Sequence, residues 1–170
     1  MFDIPRTVNG STCLENKLLK RQLIKERFDK NLPVYEDALF LLQYCHNIKK
    51  AVVIPQCYYN YYHRSNSLSH NNVLNNSKFI NIRRTFINIA QEIGRECARN
   101  AEADYLDACW RLYNLARNSQ DEKTRLRLEH ELLDYLGAQK RGVIINLYLS
   151  WKLKLLILAW FVIYSKRSNH

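Results

Sequence analysis

Asn31-Leu-Pro-Val-Tyr-Glu-Asp-Ala-Leu-Phe-Leu-Leu42 is followed by Ala51-Val-Val-Ile-Pro55 and by Tyr58-Tyr-Asn-Tyr-Tyr-His-Arg-Ser-Asn-Ser-Leu-Ser69. How these three runs are read decides the fold to expect. Pro33 sets an extended approach to a helix over 35–48. Leu39, Phe40, Leu41, Leu42 and Cys45 make that helix apolar nearly all round, so it is expected to be buried. The β-branched run 51–55, closed by proline, predicts a short strand, and the tyrosine-rich run 57–63 a second one. Glu36 and Asp37 fall in the first turn of the helix. Carboxylates there meet favourable backbone dipoles and are ordinary helix starts. Adjacent positions cannot share a helix face, so one of the two can point into a cleft while the other points outward.

Working outward, Leu14, Leu18, Leu19, Leu23 and Ile24 recur at helical spacing opposite Lys and Arg, which predicts a helix over 14–27. Residues 65–77 read as a polar loop rich in Asn and Ser. Phe79, Ile82, Phe86, Ile89, Ile93, Cys97, Ala101, Tyr105, Ala108, Leu112 and Ala116 form one long helical stripe that Gly94 weakens only modestly. Ser119-Gln-Asp-Glu122 has capping-box spacing. It is expected to start a helix with Leu126, Leu132, Leu133 and Leu136 on its apolar side and Gly137 as its C-cap. The last element expected is a helix over 143–164.

Glycine (4) and proline (3) are too scarce for an all-β chain full of tight turns. The net charge is +10, unevenly placed. Residues 1–70 contribute +4, residues 71–140 +1, and residues 141–170 +5 from five basic and no acidic side chains. A basic, apolar C-terminal stretch suits an anionic membrane surface. Near-neutrality over 71–140 argues against nucleic acid as a partner. In 143–164 the two lysines, 152 and 154, offset the apolar gain, and the uncharged run 155–164 is too short to cross a bilayer. A helix lying in the interface is the expectation, with Trp151, Trp160 and Tyr164 at headgroup level, and a helix packed on the rest of the domain is the alternative. The five cysteines, at 13, 45, 57, 97 and 109, form no C-x-x-C and read as free thiols of a reducing cytoplasm. Met1-Phe-Asp-Ile-Pro-Arg6 lacks the apolar core of a signal peptide. The expected location is cytoplasmic, peripheral at the inner membrane face.

Several short motifs occur in a telling order. Asn16-Lys-Leu-Leu-Lys-Arg-Gln-Leu-Ile24 and Arg27-Phe-Asp29 precede Glu36-Asp37-Ala-Leu-Phe40, and Val52-Val-Ile-Pro55, Tyr58–Tyr62 and Arg64-Ser-Asn-Ser67 follow. In this order and spacing, residues 11–69 resemble the acceptor-side half of family 2 glycosyltransferases. The resemblance implies part of a GT-A fold. The expected class is an α/β fragment that becomes mainly α: a partial GT-A-like sheet of two short strands with flanking helices, then a helical C-terminal extension. Residues 1–70 would be the acceptor-side part, 71–140 the helical extension and 141–170 the basic apolar tail. The resemblance also implies transfer of a sugar from a nucleotide-diphospho-sugar to a saccharide or lipid-linked acceptor in surface polysaccharide biosynthesis. Asp37 would be the catalytic base, Glu36 and Tyr35 would bind acceptor, and His63 and Arg64 would hold the nucleoside diphosphate. Tyr58, Tyr59, Tyr61 and Tyr62 are candidates for a sugar-stacking wall, about half of them facing a cleft. The complete enzyme would use Mg or Mn, yet the chain has no D-x-D metal motif and no strand-rich region before Asn16. It therefore reads as a truncated transferase whose donor-binding half is missing or sits on a separate polypeptide. The alternative is a non-catalytic remnant, or a helical module that binds membrane or a partner.

Overall fold

The computed structural model describes residues 14, 17–32, 35–52, 54, 56, 58, 60, 62, 78–118 and 121–167. They form a 3₁₀ turn at Arg21–Leu23 and five α-helices: α1 Glu36–His46, α2 Lys78–Ile93, α3 Arg95–Asn118, α4 Glu122–Ile145 and α5 Trp151–Arg167. No strand occurs among the described residues. This overturns the expected α/β class and its two-stranded GT-A-like sheet. Ala51, Val52, Ile54, Tyr58 and Tyr62 have no ladder partner and stand exposed. β-branched and aromatic residues favour a pleated, half-buried surface, but a strand persists only when neighbours pair with it.

The chain divides into two compact units, one of Met1–Val73 with Thr85–Ala98, the other of Leu74–Arg84 with Arg99–His170. In the first, α1 forms as its sequence predicts. Ala38, Leu39, Phe40, Leu41, Leu42 and Tyr44 are all buried, and Ile87, Ala90 and Ala98 add to the same unit's core. Each such large side chain contributes about 1.5–3 kcal/mol by leaving water. Phe28 stacks on Phe40 with ring centres 4.7 Å apart. The helix expected over 14–27 reduces to the 3₁₀ turn. Lys20 donates its backbone N–H to the Tyr44 hydroxyl at 2.8 Å, not to an intrahelical carbonyl. Leu18, on the supposed apolar face, is 98% exposed. A short helix without a docked face is marginal in water.

The long stripe over 79–116 breaks in two. Gly94 has φ +154° and separates α2 from α3. That conformation is one L side chains rarely adopt, so glycine sets a boundary here and does more than weaken a helix. Part of the stripe is buried as expected, namely Ile82, Tyr105, Ala108, Leu112 and Ala116, and the buried positions also include Ile80, Arg83, Ile87 and Ala90 on α2 and Ala98, Leu106, Cys109 and Tyr113 on α3.

In the second unit α3 and α4 supply most of the core, with Leu128, Leu132, Leu136 and Val143 buried from α4. The N-cap of α4 is Asp121, whose carboxylate accepts from Thr124 N at 3.1 Å. Ser119, the expected cap, lies outside the described residues, as does the loop expected over 65–77. Gly137 does not end α4. The helix kinks at Gln139 (φ −120°, ψ 16°) and runs on to Ile145. The single helix expected over 143–164 is thus interrupted. A turn follows, clasped by Asn146, which is 1% exposed. Its amide nitrogen donates to Arg99 O at 2.7 Å, and its side-chain oxygen accepts from Tyr148 N at 3.0 Å. α5 then begins at Trp151, with Ser150 Oγ accepting from Leu153 N at 3.3 Å. No described helix is long and apolar enough to cross a membrane.

Candidate functional site

The sequence singles out the head of α1, and the backbone there is unusual at Tyr35. Tyr35, its N-cap, adopts φ 67° and ψ 11°, the left-handed region. Among the described residues it is the non-glycine position with positive φ. A bulky residue there costs about 1 kcal/mol or more, and such strain clusters at sites where direction matters. The turn lets the Tyr35 carbonyl accept the first helical bond, from Leu39 N at 2.9 Å. The Tyr35 ring meets Phe86 edge-on at 6.5 Å.

The same turn presents Glu36 and Asp37 at the positive end of the helix, both half-buried. Asp37 Oδ1 accepts from Ala38 N at 2.7 Å. That bond leaves the second carboxylate oxygen able to accept a proton, the arrangement a general base needs. Tyr35, Glu36 and Asp37 are therefore brought together, as their sequence adjacency requires. His63 and Arg64, with Tyr59 and Tyr61, lie outside the described residues. Tyr58 and Tyr62 are exposed and belong to no strand, so among the described residues no tyrosine wall forms. No group of three His, Cys, Asp or Glu able to hold a metal occurs among the described residues. The described side chains do not fit the Mg or Mn of a complete transferase.

Sequence reasoning missed a second cluster, in the other unit. Tyr105 is fully enclosed and donates its hydroxyl to Glu131 Oε1 at 2.6 Å. Arg84 Nε lies 2.8 Å from that carboxylate oxygen and 3.4 Å from the Tyr105 hydroxyl, to which it donates. One residue back on each helix, Arg83 Nε donates to Asp104 Oδ2 at 2.8 Å. Burial pushes the Tyr105 phenol far up and the Cys109 thiol up to about 12, so both stay protonated. With its donors and acceptors matched, the network fastens α2, α3 and α4 and offers no reactive group. Its one signal in the sequence is Glu131, a carboxylate directly ahead of Leu132-Leu133.

A cleft of about 380 Å³ in the same unit is lined by Tyr113, Ala116, Arg117, Glu122, Arg125 and Tyr164. Arg125 is engaged there by Glu129 at 2.7 Å and Glu122 at 3.5 Å. Behind it, Trp160 packs against Tyr113 at 5.4 Å and stacks on Tyr164 at 4.7 Å. The Tyr113 and Tyr164 hydroxyls lie 3.2 Å apart.

No family model, no curated protein and no solved structure matches the chain.

Proposed function

We propose that the head of α1 is the acceptor side of a sugar-transfer site and that Asp37 is its base. The chain would be the acceptor-side portion of a family 2-like glycosyltransferase, acting with a donor-binding polypeptide on a nucleotide-diphospho-sugar. The observation that carries this reading is the strained Tyr35 turn, which holds Glu36-Asp37 half-open at a helix N-terminus within the ordered motif series. The proposal concerns this turn and its chemistry, not a sheet.

In the reaction the acceptor hydroxyl oxygen attacks the anomeric carbon and forms the new C–O bond. The bond from that carbon to the diphosphate oxygen breaks, and the nucleoside diphosphate leaves with the electron pair. The acceptor proton passes to Asp37. Glu36 and Tyr35 hold the acceptor, and His63 and Arg64 balance the charge growing on the leaving group.

The test is transfer from a panel of nucleotide sugars to saccharide and lipid-linked acceptors, with the donor-binding polypeptide supplied. Asp37→Asn is expected to lower kcat by about 100-fold or more, while Glu36→Gln acts mainly on the acceptor KM. Transfer that Asp37→Asn leaves undiminished removes the base assignment. Absence of transfer to every acceptor removes the reading as a whole.

A further inference from the structure

α5 is apolar on two opposite sides. Leu153, Ile157, Trp160 and Tyr164 recur at steps of three and four residues and face the fold, with Ile157 and Trp160 buried. The other side carries Trp151, Leu155, Leu156, Ala159, Val162 and Ile163, and all six are exposed. Their spacing makes a continuous row along the helix. A surface helix ordinarily turns charged residues outward, so an apolar outer face of this length marks an interaction surface.

The charge beside this face indicates what covers it. Residues 141–170 carry five basic side chains and no acid. Lys152 lies on the exposed side, its ammonium 5.8 Å from the centre of the Trp151 ring. The same face on a second copy would bring two such basic segments together, which disfavours self-association. Apart from the Trp151 indole N–H and the Lys152 ammonium, the row is aliphatic, and acyl chains make no directional demand on it. Anionic headgroups complement the Lys152 ammonium, and the Trp151 indole at one end is suited to headgroup depth.

We infer that the outer face of α5 docks on an anionic lipid surface, with the helix lying in the plane of the interface. The inner face stays packed on its own unit, so the fold serves as the handle of an interfacial helix. Lys154 is held by the fold, its Nζ donating to Ile144 O at 3.1 Å, which leaves Lys152 as the described lysine on the outer row. The inference does not rest on the sugar-transfer reading.

The test uses the whole chain with vesicles of phosphatidylcholine alone and of phosphatidylcholine mixed with phosphatidylglycerol. Co-sedimentation is expected with the anionic vesicles, weakening as salt is raised. A blue shift in tryptophan emission should accompany it and be lost in Trp151→Phe, since Trp110 and Trp160 are already packed. A Leu155→Glu, Ile163→Glu double variant alters only exposed positions and should keep the parent circular dichroism and thermal midpoint. It is expected to lose about tenfold or more in partitioning. The inference is overturned if the double variant sediments like the parent or if anionic vesicles capture nothing. It is overturned equally if sedimentation velocity shows that the parent self-associates through this face, an association the double variant abolishes.

Discussion

Tyr35 sets the direction of a helix while occupying a backbone region hostile to its own side chain. Nothing in an aromatic residue announces a left-handed turn, so the sequence marks Glu36-Asp37 as a helix start without revealing how the turn is made. The contact with Phe86, fifty-one positions away, is part of what holds it. The usual ranking of small residues should therefore invert here. Tyr35→Gly is expected to be more stable than Tyr35→Ala by about 1 kcal/mol, measured by urea unfolding; an alanine variant as stable as the glycine one contradicts the assigned backbone. Tyr105 poses the opposite case, a side chain in comfort with its partners. Tyr105→Phe keeps the ring but takes the donor from the Glu131 carboxylate, and a loss of about 1–3 kcal/mol is expected. The i, i+3 and i+4 pattern placed Tyr105 on the inward stripe correctly. It could not show that the hydroxyl meets Glu131, because that pairing joins helices 26 residues apart.

At the scale of elements, local pattern succeeded where a segment was apolar enough to be buried in almost any packing. α1 and the buried parts of α3 and α4 are of this kind, although Leu126, expected on the apolar side of α4, is exposed. It failed where the outcome depends on what lies alongside. The 14–27 stripe and the β-branched run at 51–55 both have the right periodicity or composition, and among their described residues neither a long helix nor a paired strand forms. Gly94 shows the same lesson in backbone terms: helix propensity treats it as a weak link, whereas the φ of +154° makes it a boundary. Although a Cβ there would meet nothing within 4 Å, Gly94→Ala should destabilise by about 1–3 kcal/mol through strain alone. Equal urea midpoints for variant and parent would count against that boundary. The Asn146 clasp was invisible as well, since a polar residue between Ile145 and Leu147 looks like a chance interruption of an apolar run. Asn146→Leu strands the Arg99 carbonyl and the Tyr148 amide and should cost about 2 kcal/mol or more, again read by urea unfolding.

Across the whole molecule, the buried titratable groups shift in one direction. Burial raises the Cys45 thiol to about 11, the Cys109 thiol to about 12 and the Tyr113 phenol to about 12, and it lifts Tyr105 and Tyr135 further. The folded chain therefore keeps protons that the unfolded chain releases near the ordinary values of 9.0 for thiols and 10.0 for phenols. The sign follows: this contribution is complete below pH 9 and is lost as pH climbs through the raised values. The thermal midpoint should be insensitive to these groups up to about pH 9 and fall steadily from there toward pH 12. A midpoint that holds steady to pH 11 means the thiols and phenols are not enclosed as described.

Chain connectivity carries a practical lesson of its own. The backbone changes allegiance at Val73, at Arg84 and again at Ala98, so each compact unit is assembled from two separated lengths of polypeptide. No single cut yields either one whole. A fragment stopping at residue 73 lacks the buried Ile87 and Ala90 of its unit, and one starting at residue 99 lacks Arg83 and Arg84 for Asp104 and Glu131. Dissecting this protein calls for circularly permuted genes or co-expressed halves, and the insolubility of a simple truncation would say nothing about the part removed.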